Sequence, residues 1–362
     1  MLLPALLALH LLSTYVAASS ASCGCSSLAI PVHVDVLVPT NPTDAFAGLR
    51  SNASSLRRVD DMYDIYGVFC QPDTVSVKNT DVLQILVHGL SYTSEYWSPP
   101  VEEFRNYSYA AFSCDRGLST LAIDWLGVGL SSRPENASDV QYPTVAASLS
   151  QIARHLKNAS ILPGIPPFKK IIGIGHSAGS AILTFGAIVE GAKSPFDSLI
   201  LTSWLSPETL PTLLLPSARD ENPLRWGTLD PEYVTTTDDR SIFYPVDPTA
   251  FSPRMLTFDT FTKDVVSLST VVQLATSSLE AQYTGPIVKV LGTEDQLNCG
   301  ATAAGRCDDL VALIASEGVL WPAAQSFDIV VTPGSGHVMN LDFFAQGAFN
   351  VFVGLVNKFS EL

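Results

Sequence analysis

The pentapeptide Gly175-His176-Ser177-Ala178-Gly179 lies between the apolar run Lys170-Ile-Ile-Gly-Ile174 and a helical pattern that opens at Ala178. A serine held between two glycines at a strand-to-helix junction leaves few architectures open. The turn must be so sharp that a Cβ on either flank would collide with neighbouring backbone. It lifts the hydroxyl to the C-terminal edge of the strand, against the positive end of the next helix. G-x-S-x-G in this setting marks a nucleophilic serine, which makes Ser177 the candidate. The same stretch satisfies G-x-G-x-x-A through Gly173, Gly175 and Ala178, a dinucleotide-binding fingerprint. That fingerprint belongs in the first βαβ unit of its domain, and here four strand patterns precede it. Gly127-Val-Gly129 fails it outright, because Ser132 stands where the third glycine belongs.

Around this junction, apolar runs bounded by turn residues recur at wide spacing, as buried parallel strands do. They are 83–87, 120–123, 170–174, 198–202, 287–291 and 327–331. Two earlier runs, Ile30–Val36 and Tyr63–Phe69, alternate more strictly and read as an antiparallel pair at one sheet edge. Helical patterns cover Thr144–Leu156, Ala178–Val189 and Leu341–Phe359, the last with Asn340 as its expected cap and Asp342 in its first turn. The alternation predicts a doubly wound, mostly parallel central sheet with helices on both faces. Residues 206–285 break it, with eight prolines from Pro207 to Pro253 and many aromatics. A structureless loop of that length is not expected in a compact domain. The stretch reads as an inserted cap over the strand ends, where ligands of such sheets bind.

Together these features resemble the α/β-hydrolase superfamily, and among its members secreted fungal ones with an HG loop and a GHSxGS elbow. The resemblance spans residues 63–205 and 286–358 and leaves the cap unmatched. It implies an α/β-hydrolase fold, which with the break in alternation divides the chain into a core of 23–205 and 286–362 and an inserted cap of 206–285. Leu86-Val-His88-Gly89-Leu90 matches the HG loop, so the backbone N–H groups of Leu90 and Ala178 would hold the oxyanion of a tetrahedral intermediate. His88 would lock that loop with its ring rather than act as a base. Val290-Leu-Gly292-Thr-Glu-Asp295 ends a strand where the family places its acid, with the adjacent Glu294 as the alternative. Asp124-Trp-Leu-Gly-Val-Gly129-Leu-Ser131 matches a family loop in which Asp124 holds a turn. An aspartate nucleophile would be needed for dehalogenase or epoxide hydrolase chemistry, and Ser177 stands in its place.

The general base follows from the six histidines. His10 lies in the N-terminal apolar segment, His33 in an edge strand, His88 in the HG loop, His155 in a helix and His176 in the elbow. Only His337 lies late, on the Gly-rich loop Gly334-Ser-Gly336-His337, as a general base needs. The order Ser177, Asp295, His337 is that of an acyl-transfer triad on this fold.

The remaining features concern compartment and partners. Met1–Leu12 is an apolar run followed by small residues, the pattern of a secretory signal over 1–22, with an uncleaved anchor as the alternative. Sequons start at Asn52, Asn106, Asn136 and Asn158. Six cysteines permit three disulfides, and Cys299 with Cys307, which flank a short Gly/Ala-rich loop, are the first candidate pair. Cys23-Gly-Cys25 has metal-ligand spacing without a second ligand pair, so no metal site is expected. A formal net charge of -15 excludes nucleic acid as a partner. The expectation is a cofactor-free serine hydrolase acting on a small, apolar or ester-containing molecule such as a carboxylester, lactone or thioester, with no protein partner in evidence. A secondary metabolite is one such substrate, and the alternative is non-hydrolytic chemistry on the same residues, a lyase or a cyclising carbon–carbon condensation.

Overall fold

A computed structural model describes residues 23–49, 55–73, 81–158, 165, 167–206, 214–274, 279–299 and 307–362. The N-terminal segment 1–22 and Asn52 lie outside them. Strands β1 (Cys23–Pro39) and β2 (Leu56–Pro72) pair antiparallel along their whole length, with β1 at one edge. Strands β3 (Val82–Val87), β4 (Ser119–Ile123), β5 (Lys170–His176) and β6 (Ser198–Thr202) follow. The short β7 (Tyr233–Val234) and β8 (Val266–Ser267) pair with each other, apart from the main sheet. Strands β9 (Ile287–Gly292) and β10 (Phe327–Thr332) complete it, giving the order β1-β2-β4-β3-β5-β6-β9-β10. From β4 to β10 every neighbouring pair is parallel.

Side-chain alternation along the strands explains why both faces are covered. Leu83, Ile85 and Val87 of β3, Ile171 of β5 and Leu199 and Leu201 of β6 join one buried cluster. That cluster takes in α2 (Tyr142–Asn158) and α3 (Ala178–Glu190), and also α2's neighbours on β1, Ile30, Val32 and Val34. Leu86, Ile172, Ile174, Ile200 and Val290 join the other. There they meet α1 (Tyr109–Cys114) and, at the C terminus, α9 (Ala345–Glu361) through Tyr109, Phe112, Phe349 and Phe352. Fully burying one such side chain stabilises by roughly 1.5–3 kcal/mol, so each face is a core in its own right.

Between β6 and β9 the chain forms short pieces: α4 (Ala218–Glu221), α5 (Pro223–Trp226), α6 (Pro253–Thr262) and α7 (Leu268–Gln273). The prolines have a local cause, since Pro223 and Pro253 occupy first helical positions, where a missing N–H costs nothing. Its aromatics divide. Trp226 and Tyr233 are buried with the α2–α3 core, and Phe243, Tyr244 and Phe251 with the α9 core. Phe258 is half-buried and Phe261 is exposed. Residues 240–245 run as a strap across three loops. The Arg240 guanidinium donates to Ser91, the Gln296 amide to the Tyr244 carbonyl (2.8 Å), and the Val338 N–H to the Phe243 carbonyl (3.0 Å). Gly336 lies so close beneath that a Cβ there would be 2.7 Å from Pro245.

One sequence expectation is corrected. α9 starts at Ala345, after a turn, and its cap position is Phe344, which makes no side-chain cap. Asn340 is buried and donates to the Tyr96 carbonyl, while Asp342 accepts from the Gly336 and Phe344 N–H groups. Both residues serve the loop before the helix instead of the helix itself. Another helix, α8 (Leu310–Gly318), capped by Asp309, packs beside β10. Disulfides join Cys23–Cys114, Cys25–Cys70 and Cys299–Cys307, so the Cys23 and Cys25 sulfurs are not free as metal ligands. Cys25 and Cys70 face each other directly across the β1–β2 pair.

Candidate active site

β5 ends at His176 and α3 begins at Ala178, so Ser177 alone makes the turn, with φ +50°. The flanking glycines are obligatory. A Cβ on Gly175 would lie 2.6 Å from the Ser180 backbone, and one on Gly179 would lie 2.4 Å from the Val87 and His88 carbonyl oxygens. The Ser177 hydroxyl is 2.9 Å from His337 Nε2. His337 Nδ1 is 3.0 Å from each carboxylate oxygen of Asp295, which is fully buried. The three side chains come from the ends of β5, β9 and β10, 160 residues apart at the widest. Glu294, the alternative acid, is exposed, and its N–H donates to the Ser335 carbonyl (2.9 Å).

The HG turn lies against the serine. A Cβ on Gly89 would be 3.2 Å from Ser177 Cβ and 2.8 Å from His176 Cδ2, so the backbone leading into Leu90 passes as close to the elbow as atoms allow. Ala178, the first residue of α3, flanks the serine on its other side. Leu90 thus directly follows the turn packed on the elbow, and Ala178 directly follows the serine.

The alpha/beta hydrolase family model matches residues 84–346, nearly three quarters of the chain. The chain belongs to the alpha/beta hydrolase family. No curated protein matches it in sequence. Solved structures agree on the fold at low identity. A soluble variant of monoglyceride lipase from Saccharomyces cerevisiae is 15% identical with a TM-score of 0.53, over 82% of this chain and 92% of that one. An esterase from Exiguobacterium antarcticum is 15% identical with a TM-score of 0.50, over 82% and 96%. An epoxide hydrolase from Vigna radiata is 11% identical with a TM-score of 0.50, over 82% and 95%.

In this alpha/beta hydrolase the other histidines near the site are held neutral. Burial pushes His88 down to about 4, and its Nε2 accepts from the Trp125 N–H while Nδ1 faces the Gly89 carbonyl (2.8 Å). His176 is driven well down by burial and by His337 nearby, and its ring stacks on Tyr96 at 4.2 Å. Asp124 is buried with its carboxyl pushed up by desolvation, and it accepts from the Ser94 (2.7 Å) and Leu130 (2.9 Å) N–H groups. These two bonds tie the start of the 124–130 loop to its end and to the backbone at Ser94. Asn106, Asn136 and Asn158 are exposed. Among the described residues no cluster of three His, Cys, Asp or Glu could hold a metal ion, and no helix is long and apolar enough to cross a membrane.

Sequence reasoning missed two supports. Asn298 donates through Nδ2 to Asp295 Oδ2 (2.9 Å) and to the Ser203 carbonyl (3.1 Å), and its N–H donates to Asp295 Oδ1. It precedes Cys299, so the Cys299–Cys307 bridge fastens the same loop. Ser203, just past β6, donates its hydroxyl to the His337 carbonyl (2.6 Å). Among the described residues the only non-glycine positive φ values are those of Ser91, Ser177 and Ser203, and all three surround this site. Such conformations cost of order 1–3 kcal/mol each and cluster where geometry has to be held. An ordinary serine letter gives no sign of them.

The His337 loop also carries a titratable support. Burial pushes the Asp342 carboxyl up to about 7, against the two N–H groups that bond it. Its unfolded value is about 3.9. The folded state therefore holds the proton more tightly, and this contribution to stability is full below about pH 4 and lost as pH rises through about 7. An Asp342→Asn variant, neutral throughout, is expected to lack that decline. Urea midpoints measured from pH 4 to 8 check it, and parallel pH slopes for both proteins would refute the assignment.

Proposed function

We propose that the protein is a serine hydrolase cleaving an ester-like bond, a carboxylester, lactone or thioester, through Ser177, His337 and Asp295. The observation that carries the reading is the continuous hydrogen-bonded chain from the Ser177 hydroxyl through His337 to the buried Asp295. His337 Nε2 accepts the hydroxyl proton as Ser177 Oγ bonds the acyl carbon. The Leu90 and Ala178 N–H groups donate to the oxyanion that forms. Collapse expels the alkoxide or thiolate, which takes the proton from His337, and leaves an acyl-serine. Water then repeats the sequence, giving up its proton to His337 and releasing the acid. Asp295 holds the imidazole in the tautomer whose Nε2 is free to accept, and stabilises the imidazolium.

The segment 206–285 serves as the cap. Phe243 is the cap aromatic that stands against His337, with ring centroids 5.8 Å apart, which supports an apolar group beside the reacting centre. The lipase and esterase neighbours share this fold. Three disulfides and the exposed sequon asparagines Asn106, Asn136 and Asn158 support passage through an oxidising, glycosylating secretory route, with 1–22 as its signal. The test is a fluorophosphonate probe with a chain-length series of p-nitrophenyl esters. Labelling of Ser177 and ester turnover are expected, with the optimum chain length sizing the pocket. A folded protein that the probe does not label would sink the reading.

A further inference from the structure

Gly89, Leu90, Ser91 and Tyr92 form a four-residue turn, closed by the Tyr92 N–H donating to the Gly89 carbonyl at 3.3 Å. Ser91, its third residue, has φ +59°. That position belongs to glycine or asparagine, and a serine there persists only where its surroundings hold it. The holding comes from the cap. The Asp264 N–H donates to the Ser91 carbonyl (2.9 Å), and Arg240 Nη1 donates to the Ser91 hydroxyl (2.9 Å).

Arg240 is fully buried. Its Nη2 is 2.9 Å from Asp259 Oδ1, Nη1 also donates to Thr236, and the guanidinium carbon stands 4.5 Å over the Tyr92 ring and 5.1 Å over Phe243. The Tyr92 and Tyr244 hydroxyls both donate to Asp259 Oδ2 (3.3 and 3.1 Å). Desolvating such a pair offsets much of its attraction, so it is poor at adding stability and better suited to fixing one arrangement. What it fixes adjoins the reacting centre, because Ser91 follows Leu90, Tyr92 packs edge-on to His176, and Phe243 faces His337.

We infer that Arg240 is a positioning residue that sets the oxyanion turn from the cap, so that the Leu90 N–H is aimed only while the cap is docked. The inference rests on the serine hydrolase reading above. A turn let go at Ser91 leaves substrate binding intact and loses the donor at the moment negative charge develops. Removing an oxyanion donor costs ~10²–10³ in rate, and displacing one costs less, about 10- to 100-fold.

The experiment measures kcat and KM on a p-nitrophenyl ester, and Ki for a trifluoromethyl ketone that forms a hemiketal with the serine. The variants are Ser91→Ala, Arg240→Lys and the pair Arg240→Met with Asp259→Asn. Ser91→Ala leaves the buried ion pair whole, so the test survives if the Arg240 variants do not fold. In Ser91→Ala, kcat is expected to fall about 10- to 100-fold with KM nearly constant, and Ki to rise by the same factor as kcat/KM falls. The double variant should match it, and Arg240→Lys should recover part of the rate. Arg240 Nε has no hydrogen-bond partner among the described residues, and a rise in KM at constant kcat on changing Arg240 would assign that edge to substrate and overturn the inference. Unchanged kcat and Ki in Ser91→Ala, with wild type labelled by fluorophosphonate, would overturn it alone. Failure of wild type to label would remove the hydrolase reading and this inference together.

Discussion

Ser177→Ala is expected to lower kcat on a p-nitrophenyl ester by about 10⁶-fold, the usual loss when a triad nucleophile is removed. Alanine keeps the Cβ already accommodated at φ +50° and discards a hydroxyl whose bond is to His337. The fold should therefore be indifferent, with unfolding free energy within about 0.5 kcal/mol of wild type. Fluorophosphonate labelling should vanish. The residue left behind still has its oxyanion donors, so a remainder of about 10³–10⁴ over water is expected. A variant that retains more than a hundredth of wild-type turnover would place the nucleophile elsewhere.

Asp295→Asn should cost about 10⁴ in kcat, with nearly unchanged structure. The carboxylate accepts from His337 Nδ1, from the Leu297 N–H (2.9 Å) and from Asn298. An asparagine turned with its oxygen toward the backbone donors presents an N–H to Nδ1. The imidazole must then carry its proton on Nε2, where it can no longer accept from Ser177. The loss should ease as pH rises, because alkoxide then forms without the base. Glu294→Gln is the matched control, since Glu294 is exposed and its N–H donates to the Ser335 carbonyl. Equal losses in the two variants, or a loss only in Glu294→Gln, would show the acid has been misassigned.

How much of this was legible in the sequence depends on whether the signal is local. The runs of β3, β5, β6 and β9 could be read because these strands are buried along almost their whole length and so are mostly apolar, with Gln84 and Lys289 among the buried exceptions. The elbow was legible because its two glycines have no substitute at that curvature. The approach of Ser177, Asp295 and His337 followed from chain order and the resemblance, and the distances belong to the structure alone. Asn340 and Asp342 misled because a capping residue and a loop-bracing residue are the same letters, and their use depends on Gly336 and Tyr96, far away in sequence or across a turn. Ser91 and Ser203 gave nothing, since neither letter announces a left-handed backbone. Arg240 and Asp259 lie 19 positions apart with no periodicity to link them, so their pairing exists only once the cap has folded.

The strap of residues 240–245 bears on how far such an enzyme can be rebuilt. Exchanging the whole insertion for that of a relative is the obvious way to change what the site accepts. Here the donor piece would arrive without the Phe243 and Tyr244 carbonyl contacts to Val338 and Gln296, and without the proline fitted over Gly336. On the proposed reading of 206–285 as a cap, selectivity and competence share these six residues, and a graft that keeps 240–245 while varying the flanking helices is expected to retain turnover that a whole exchange loses.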